Sequence, residues 1–409
     1  MSIERAYETE WDVEGTKPDA NMAARAAFDK CKNPNKVNAG VGTIMDENGV
    51  LTPEVVATTR TEIAETVEGM GYLSPAGHAP FLELNAKHLV FGEDLLREIG
   101  GIKKVVAAQT PGGTAALYVA HRVLSKFPDD SKKKLLLDPG WGNHRTIFQD
   151  LDPSPTTYQH EDPETRKYNH AAYLEVLKNH PKDCPVLLQV AGYNDDGSER
   201  SEEQWNEIAD IVMQKELIPI LDFAYNGLVK GFGIDNYAIK EFTQKGIPCF
   251  ICVSNSKNAG VYSDRLGALY MVNFSDQETE NLQSYIPNKI IRPTWSNPPA
   301  LPALTMADVL GDDEKRQSFI DAVEKDMLEG ILNHNREALA EVLDAPWIRN
   351  KGGIFLKLIP EGGLSKEQLE FLEGEAVFPL PSSRINVAGL PTDRIEEVAE
   401  IFKEALRLG

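Results

Sequence analysis

Short apolar runs alternate with amphipathic stretches along the middle of the chain. KLLLD (134–138), CPVLLQVAG (184–192), LIPILDFA (217–224), PCFICVS (248–254) and LGALYMV (266–272) are too short for ordinary helices and have the composition of buried strands. Between them, SEEQWNEIADIVMQKE (201–216) opens with Ser201 and Gln204 at capping-box spacing. Trp205, Ile208 and Val212 then fall on one helical face. Strands separated by helices predict an α/β fold with a mostly parallel sheet sandwiched between helical layers. Toward the C-terminus the pattern changes to long charged helices, as in segments 313–343 and 393–409, which predict a second, smaller domain.

In an open parallel sheet, ligands bind beyond the carboxyl ends of the strands. Trp141, Asn194, Asp222, Tyr225 and Lys257 each follow or close an apolar run, so this fold would bring them to one pocket. Taken singly, each has an ordinary explanation: a core tryptophan, a turn asparagine, a loop cap, a packed aromatic. Their joint occurrence at four strand ends favours a site.

Composition narrows the function classes. The chain has 409 residues, enough for two or three domains. Its 63 acidic against 42 basic residues give a net charge of −21, which opposes nucleic-acid binding unless a local basic groove exists, and the sequence offers none. No run approaches the ~18 apolar residues of a membrane helix. The opening MSIERAYETEWDVEG is acidic and has no apolar core, which points to the cytoplasm. Four cysteines form no disulfide framework. Cys249 and Cys252 have C-x-x-C spacing, but strand residues three apart face opposite sides and cannot share a metal. No metal site is expected.

The densest candidate chemistry is SNSKNAGVYSDRLG (254–267), which surrounds Lys257 with Ser254, Ser256 and Arg265. Hydroxyls and a guanidinium beside one lysine suggest a bound phosphate with the amine as nucleophile. QTPGGTAALYVAHRVL (109–124) adds Gly112, Gly113 and Thr114 at the head of an amphipathic helix, where backbone N–H groups favour an anion. A lysine that forms an imine with a phosphate-bearing aldehyde fits pyridoxal phosphate.

The pattern S-x-S-K-x-x-x-x-Y-x-x-R-x-G, filled by Ser254, Ser256, Lys257, Tyr262, Arg265 and Gly267, resembles the lysine motif of class I aminotransferases, in particular the aspartate and aromatic branch. VNAGVGTIMDENG, GYLSPAGHAPF, QTPGGTAAL, PGWGNH, LDFAYNG, RPTWSNPP and SRINVAGL resemble segments of that branch in the same order, over residues 37–390. The resemblance implies the pyridoxal-phosphate fold type I. Residues 1–50 would form an N-terminal arm and part of a small α+β domain, 51–315 the large cofactor domain, and 316–409 the rest of the small domain.

It also implies roles. Lys257 would hold the cofactor and act as general base. Asp222 would pair with the ring nitrogen, supported by His144, while Tyr225 and Asn194 would bond the ring oxygen and Trp141 would stack on the ring. Gly113, Thr114, Ser254, Ser256 and Arg265 would bind the phosphate, joined by Tyr72 of a second subunit in a homodimer with shared sites. Gly40, Trp141, Asn194, Arg292 and Arg384 would contact substrate, with Arg384 on the α-carboxylate and Arg292 reaching across to a distal carboxylate. By itself Arg292 reads as an exposed arginine ending a strand. The implied reaction is transamination between an amino acid, aspartate or glutamate and also aromatic, and a 2-oxo acid such as 2-oxoglutarate or oxaloacetate. A lyase or decarboxylase on the same fold, or a sensor that keeps the fold without catalysis, is the alternative.

Four departures stand out. Asp195 and Asp196 replace the Pro-Thr that the family usually places after its asparagine, and Gly112 replaces a common serine. LPALTMADVL (301–310) lacks an expected glycine, and the first 36 residues match poorly.

Overall fold

The computed structural model describes residues 20–66, 71–127 and 133–408, so the acidic opening segment lies outside the described residues. Six strands form the main sheet: β1 (Val106–Thr110), β2 (Leu136–Leu137), β3 (Pro185–Gln189), β4 (Ile218–Phe223), β5 (Cys249–Ser254) and β6 (Gly267–Val272). Their spatial order is β1-β6-β5-β4-β3-β2. β2 to β5 pair in parallel, whereas β6 runs antiparallel to both β5 and β1. LGALYMV is therefore the exception in a sheet otherwise aligned in one direction. The reason is local: residues 255–266 form the lysine loop instead of a crossover helix, so the chain returns beside β5 in the opposite sense. β1, from VVAAQT, adds a strand to the five read from the apolar runs.

Both faces of the sheet are covered, which is why its strands read as continuous apolar runs. Leu187, Ile220, Phe250 and Leu269 pack in one core with the buried face of α1 (Gly113–Leu124). Val186, Leu188, Leu221 and Ile251 face a second core. Cys252 belongs to the first core and Cys249 to the second, as strand alternation requires, and both are free thiols. Two helices matter below, α2 (Gly142–Phe148) and α3 (Glu202–Gln214). The expected capping box opens α3, with Ser201 and Gln204 bonded reciprocally, and Trp205, Ile208 and Val212 are buried.

A third core lies outside the sheet. Val37 and Ala39 pack there with Leu339, Leu356, Ile385 and Phe402, the last on α4 (Ile395–Arg407). Val37 also bridges to Val377, so an N-proximal segment and the C-terminal third share one core. Within it, β7 (Phe355–Lys357) and β8 (Arg384–Asn386) form an antiparallel ribbon that sets Arg384 opposite Lys357. Among the described residues, no helix is long and apolar enough to cross a membrane, and no group of three or more His, Cys, Asp or Glu could hold a metal ion.

Candidate active site

A cavity of about 200 Å³ opens at the carboxyl ends of the central strands. Lys257, in the loop leaving β5, lines it with Nζ 5.1 Å from the Tyr225 ring centroid. Desolvation lowers the pKa of this amine; the Asp222 carboxylate offsets part of that shift and Arg265 adds to it.

The head of α1 closes one end. Gly112 has φ +86°, and a Cβ there would lie 2.1 Å from Arg265 Nη2. A Cβ on Gly113 would come 2.9 Å from Ser254 Cβ. Only glycine permits both the left-handed turn and this approach. Arg265 itself has φ +61°, and its Nη1 donates to Ser256 Oγ at 3.2 Å and to the Tyr262 carbonyl at 2.9 Å. Ser254 Oγ donates to Ser256 Oγ at 3.2 Å. A helix start, two serine hydroxyls, Thr114 and a guanidinium held by neutral oxygens fit a phosphate dianion. Lys257 beside this cradle fits an aldehyde on the same molecule.

The middle of the cavity is built from β4 and α2. Asp222, near the end of β4, has Oδ2 2.7 Å from Nε2 of the fully buried His144 on α2. Trp141, immediately before α2, packs edge-to-face on that imidazole, with centroids 4.8 Å apart. Asn194 Nδ2 donates to the Tyr225 hydroxyl at 2.7 Å. Burial raises the Tyr225 pKa, against the lowering effects of Arg384 and of the Asn194 hydrogen bond, so the phenol keeps its proton. Arg384 Nη1 donates to Asn194 Oδ1 at 2.7 Å, and its guanidinium lies 4.1 Å over the Phe355 ring. Asn194 therefore links the tyrosine of the sheet to the arginine of the ribbon.

Gly113, Thr114, Trp141, Asn194 and Asp222 line the cavity, as do Tyr225, Ser254, Ser256, Lys257 and Arg265. Arg384 joins through Asn194. Gly40 sits beside Leu380 and the Phe378 carbonyl; Gly42 is the glycine of that segment that lines the cavity. Tyr72 is 96% exposed, and Arg292 is exposed and bonded to Ser296 Oγ. Neither lines the cavity of a single chain. Arg292 opens a short helical turn, Arg292–Thr294, after the helical stretch 276–291, which corrects its reading as the end of a strand. The continuous helical hydrogen bonding from Ser275 onward overrides the β-branched look of KIIR. Gln189 also lines the cavity, and its Oε1 accepts from Asn194 N at 3.1 Å. Its signal in the sequence was a lone polar residue ending the apolar run of β3.

Similarity to known proteins agrees with this geometry. The family model described as aminotransferase class I and II matches residues 34–402. A mitochondrial aspartate aminotransferase of Xenopus tropicalis is 30% identical over 92% of this chain and 88% of that protein. Among solved structures, an aromatic-amino-acid aminotransferase of Burkholderia pseudomallei, covalently bound to pyridoxal phosphate, superposes with TM-score 0.88 at 28% identity, covering 99% of this chain and 100% of that one. The cytoplasmic aspartate aminotransferase of Saccharomyces cerevisiae gives TM-score 0.86 at 27% identity, over 96% and 97% of the two chains.

Proposed function

The chain belongs to the class I and II aminotransferases and is a pyridoxal-phosphate-dependent enzyme, and from that premise we propose aspartate and glutamate as its principal amino donors, with aromatic amino acids as further substrates. The acceptors are 2-oxoglutarate and oxaloacetate. The observation that carries the proposal is the convergence on one cavity of Lys257, the Asp222–His144 pair and the Tyr225–Asn194–Arg384 chain.

When bound, pyridoxal phosphate supplies an electron sink for the negative charge that develops at the substrate Cα. The chain's own residues do the rest. Gly113, Thr114, Ser254, Ser256 and Arg265 would hold the phosphate and so orient the cofactor toward Lys257. Lys257, shifted toward its neutral form by burial, would be the attachment point and the group that moves the proton at Cα. Asp222, held by His144, would pair with the ring nitrogen. The Tyr225 hydroxyl and Asn194 amide would hold the ring oxygen, and Trp141 would cover the ring and exclude water. Arg384 binds the α-carboxylate through its planar fork, which a lysine could not supply.

Tyr72 and Arg292, both exposed on the single chain, reach the site of a second copy in a two-fold dimer. The shared core of Val37 and the C-terminal third supports a division into 1–50 plus 316–409 and 51–315. We keep the cytoplasm as the proposed location.

The test is a steady-state panel of aspartate, glutamate, phenylalanine, tyrosine and alanine with 2-oxoglutarate. Arg292→Ala should lower kcat/KM for aspartate by roughly 30- to 5,000-fold, from the about 2–5 kcal/mol lost with one member of a desolvated charge pair. Phenylalanine, with no second carboxylate, should lose much less. Equal losses would remove the dicarboxylate assignment, and no turnover with any donor would overturn the proposal.

A further inference from the structure

Asp195 and Asp196 put two carboxylates where the family usually has Pro-Thr, directly after the Asn194 that meets Arg384. Each finds a lysine in the C-terminal third of the chain. Asp196, 2% exposed, accepts from Ser198 N at 2.6 Å and Ser198 Oγ at 2.5 Å and lies 4.0 Å from Lys351 Nζ. Lys351 in turn donates to Glu161 at 2.7 Å, so this corner is a buried network. Asp195 differs. Its Oδ2 lies 3.4 Å from Lys357 Nζ, and the two side chains are 28% and 17% exposed.

Lys357 is not an arbitrary partner. It stands directly opposite Arg384 across the β7–β8 register, so both side chains leave the same face of the ribbon. Like charges in that relation repel, and Asp195 pairs with Lys357 while its neighbour in sequence, Asn194, bonds Arg384, so the Asp195 carboxylate is in the field of both cations. A carboxylate one residue from Asn194, paired with the lysine opposite Arg384, can compete for the guanidinium proposed to receive the substrate carboxylate.

We propose that Lys357 is a positioning residue that holds the Asp195 carboxylate off Arg384, so that Asp195 does not compete with the substrate α-carboxylate for that guanidinium. This rests on Arg384 being the α-carboxylate anchor. Asp195 in return relieves the repulsion between the two opposed cations. The replacement of Pro-Thr by two aspartates is thus accommodated by charge: Asp196 is absorbed into a buried network, and Asp195 is sequestered by Lys357.

The charge logic makes the test specific. In Lys357→Gln, Asp195 loses its partner and turns to Arg384. KM for aspartate and for phenylalanine should then rise together by about 10-fold, the equivalent of about 1.4 kcal/mol, while kcat stays within about 3-fold. Adding Asp195→Asn should bring KM back to within about 3-fold of wild type, a rescue that a purely structural lesion would not show. Lys357→Arg, which keeps the charge, should behave like wild type. Titration of the holoenzyme with succinate and with 3-phenylpropanoate should show Kd rising by the same factor in Lys357→Gln, independent of turnover. If wild type transaminates yet Lys357→Gln leaves KM unchanged, or the double variant binds no better than the single one, the inference is wrong. If Arg384→Ala leaves the affinity for both carboxylates intact, the anchor itself is misassigned.

Discussion

At the proposed phosphate end of the cavity, Gly112 and Gly113 approach Arg265 and Ser254 so closely that one added Cβ would collide, whereas at the proposed carboxylate end Asn194 and Arg384 meet through side chains alone. The first end is fixed by backbone shape within two short segments. The second depends on a hydrogen bond and an ion pair between segments more than 150 residues apart in sequence. Backbone shape leaves little freedom to vary, but charge can be moved among residues as long as the balance around Arg384 is kept. That difference explains how Asp195 and Asp196 could enter one end while the lysine motif is intact at the other.

The comparison can be broken at either end. The largest effect is expected between the two: Lys257→Ala should lower kcat by about 10⁴-fold by removing the proposed general base, while cofactor is still taken up by the phosphate end. Steady-state rates together with the absorbance of bound cofactor check both halves. Arg384→Ala should lower kcat/KM by roughly 30- to 5,000-fold for aspartate and phenylalanine alike, without loss of bound cofactor. Gly112→Ala should do the converse. It strains a left-handed position and displaces Arg265, so cofactor Kd should rise by about 10- to 100-fold while substrate KM of the reconstituted enzyme is unchanged.

The smallest expected effect is a pH dependence at the carboxylate end. Glu199 accepts from Gly192 N at 2.7 Å and so closes the loop that carries Asn194; burial pushes its pKa up to about 7. The folded state then binds a proton that the unfolded chain releases between about pH 4.5 and 7, so stability falls as pH rises through that window. Glu199→Gln should remove this slope, about 3 kcal/mol across the window, measured by urea unfolding. An unchanged slope would show that Glu199 does not titrate there.

The two ends also differed in how far the sequence revealed them. Ser254, Ser256, Lys257 and Arg265 lie within twelve residues, and Gly112–Thr114 are consecutive, so local spacing displayed their chemistry. The alternation of strands and helices likewise displayed the sheet, apart from β1 and the reversed direction of β6, since pairing direction is set by the connection and not by the apolar run. Asn194 was legible from its place after an apolar strand, but Arg384 could be named only through family resemblance, because no local pattern joins positions so far apart. Lys351 and Lys357 carried no signal at all. A lysine in a polar C-terminal segment reads as surface until the ribbon register places it opposite Arg384.

The reversed strand β6 also bears on the order of assembly. β5, the lysine loop and β6 are contiguous over residues 249–272 and pair antiparallel, so the amine and Arg265 come together at the loop-closure cost of one short connection. The Asn194–Arg384 contact must close a loop of nearly half the chain, and contacts of that separation form slowly. During refolding, the part of the site that holds the cofactor is therefore favoured to form before the part that reads the substrate. The cofactor can then bind and stabilise the folding chain before the enzyme can select an amino acid.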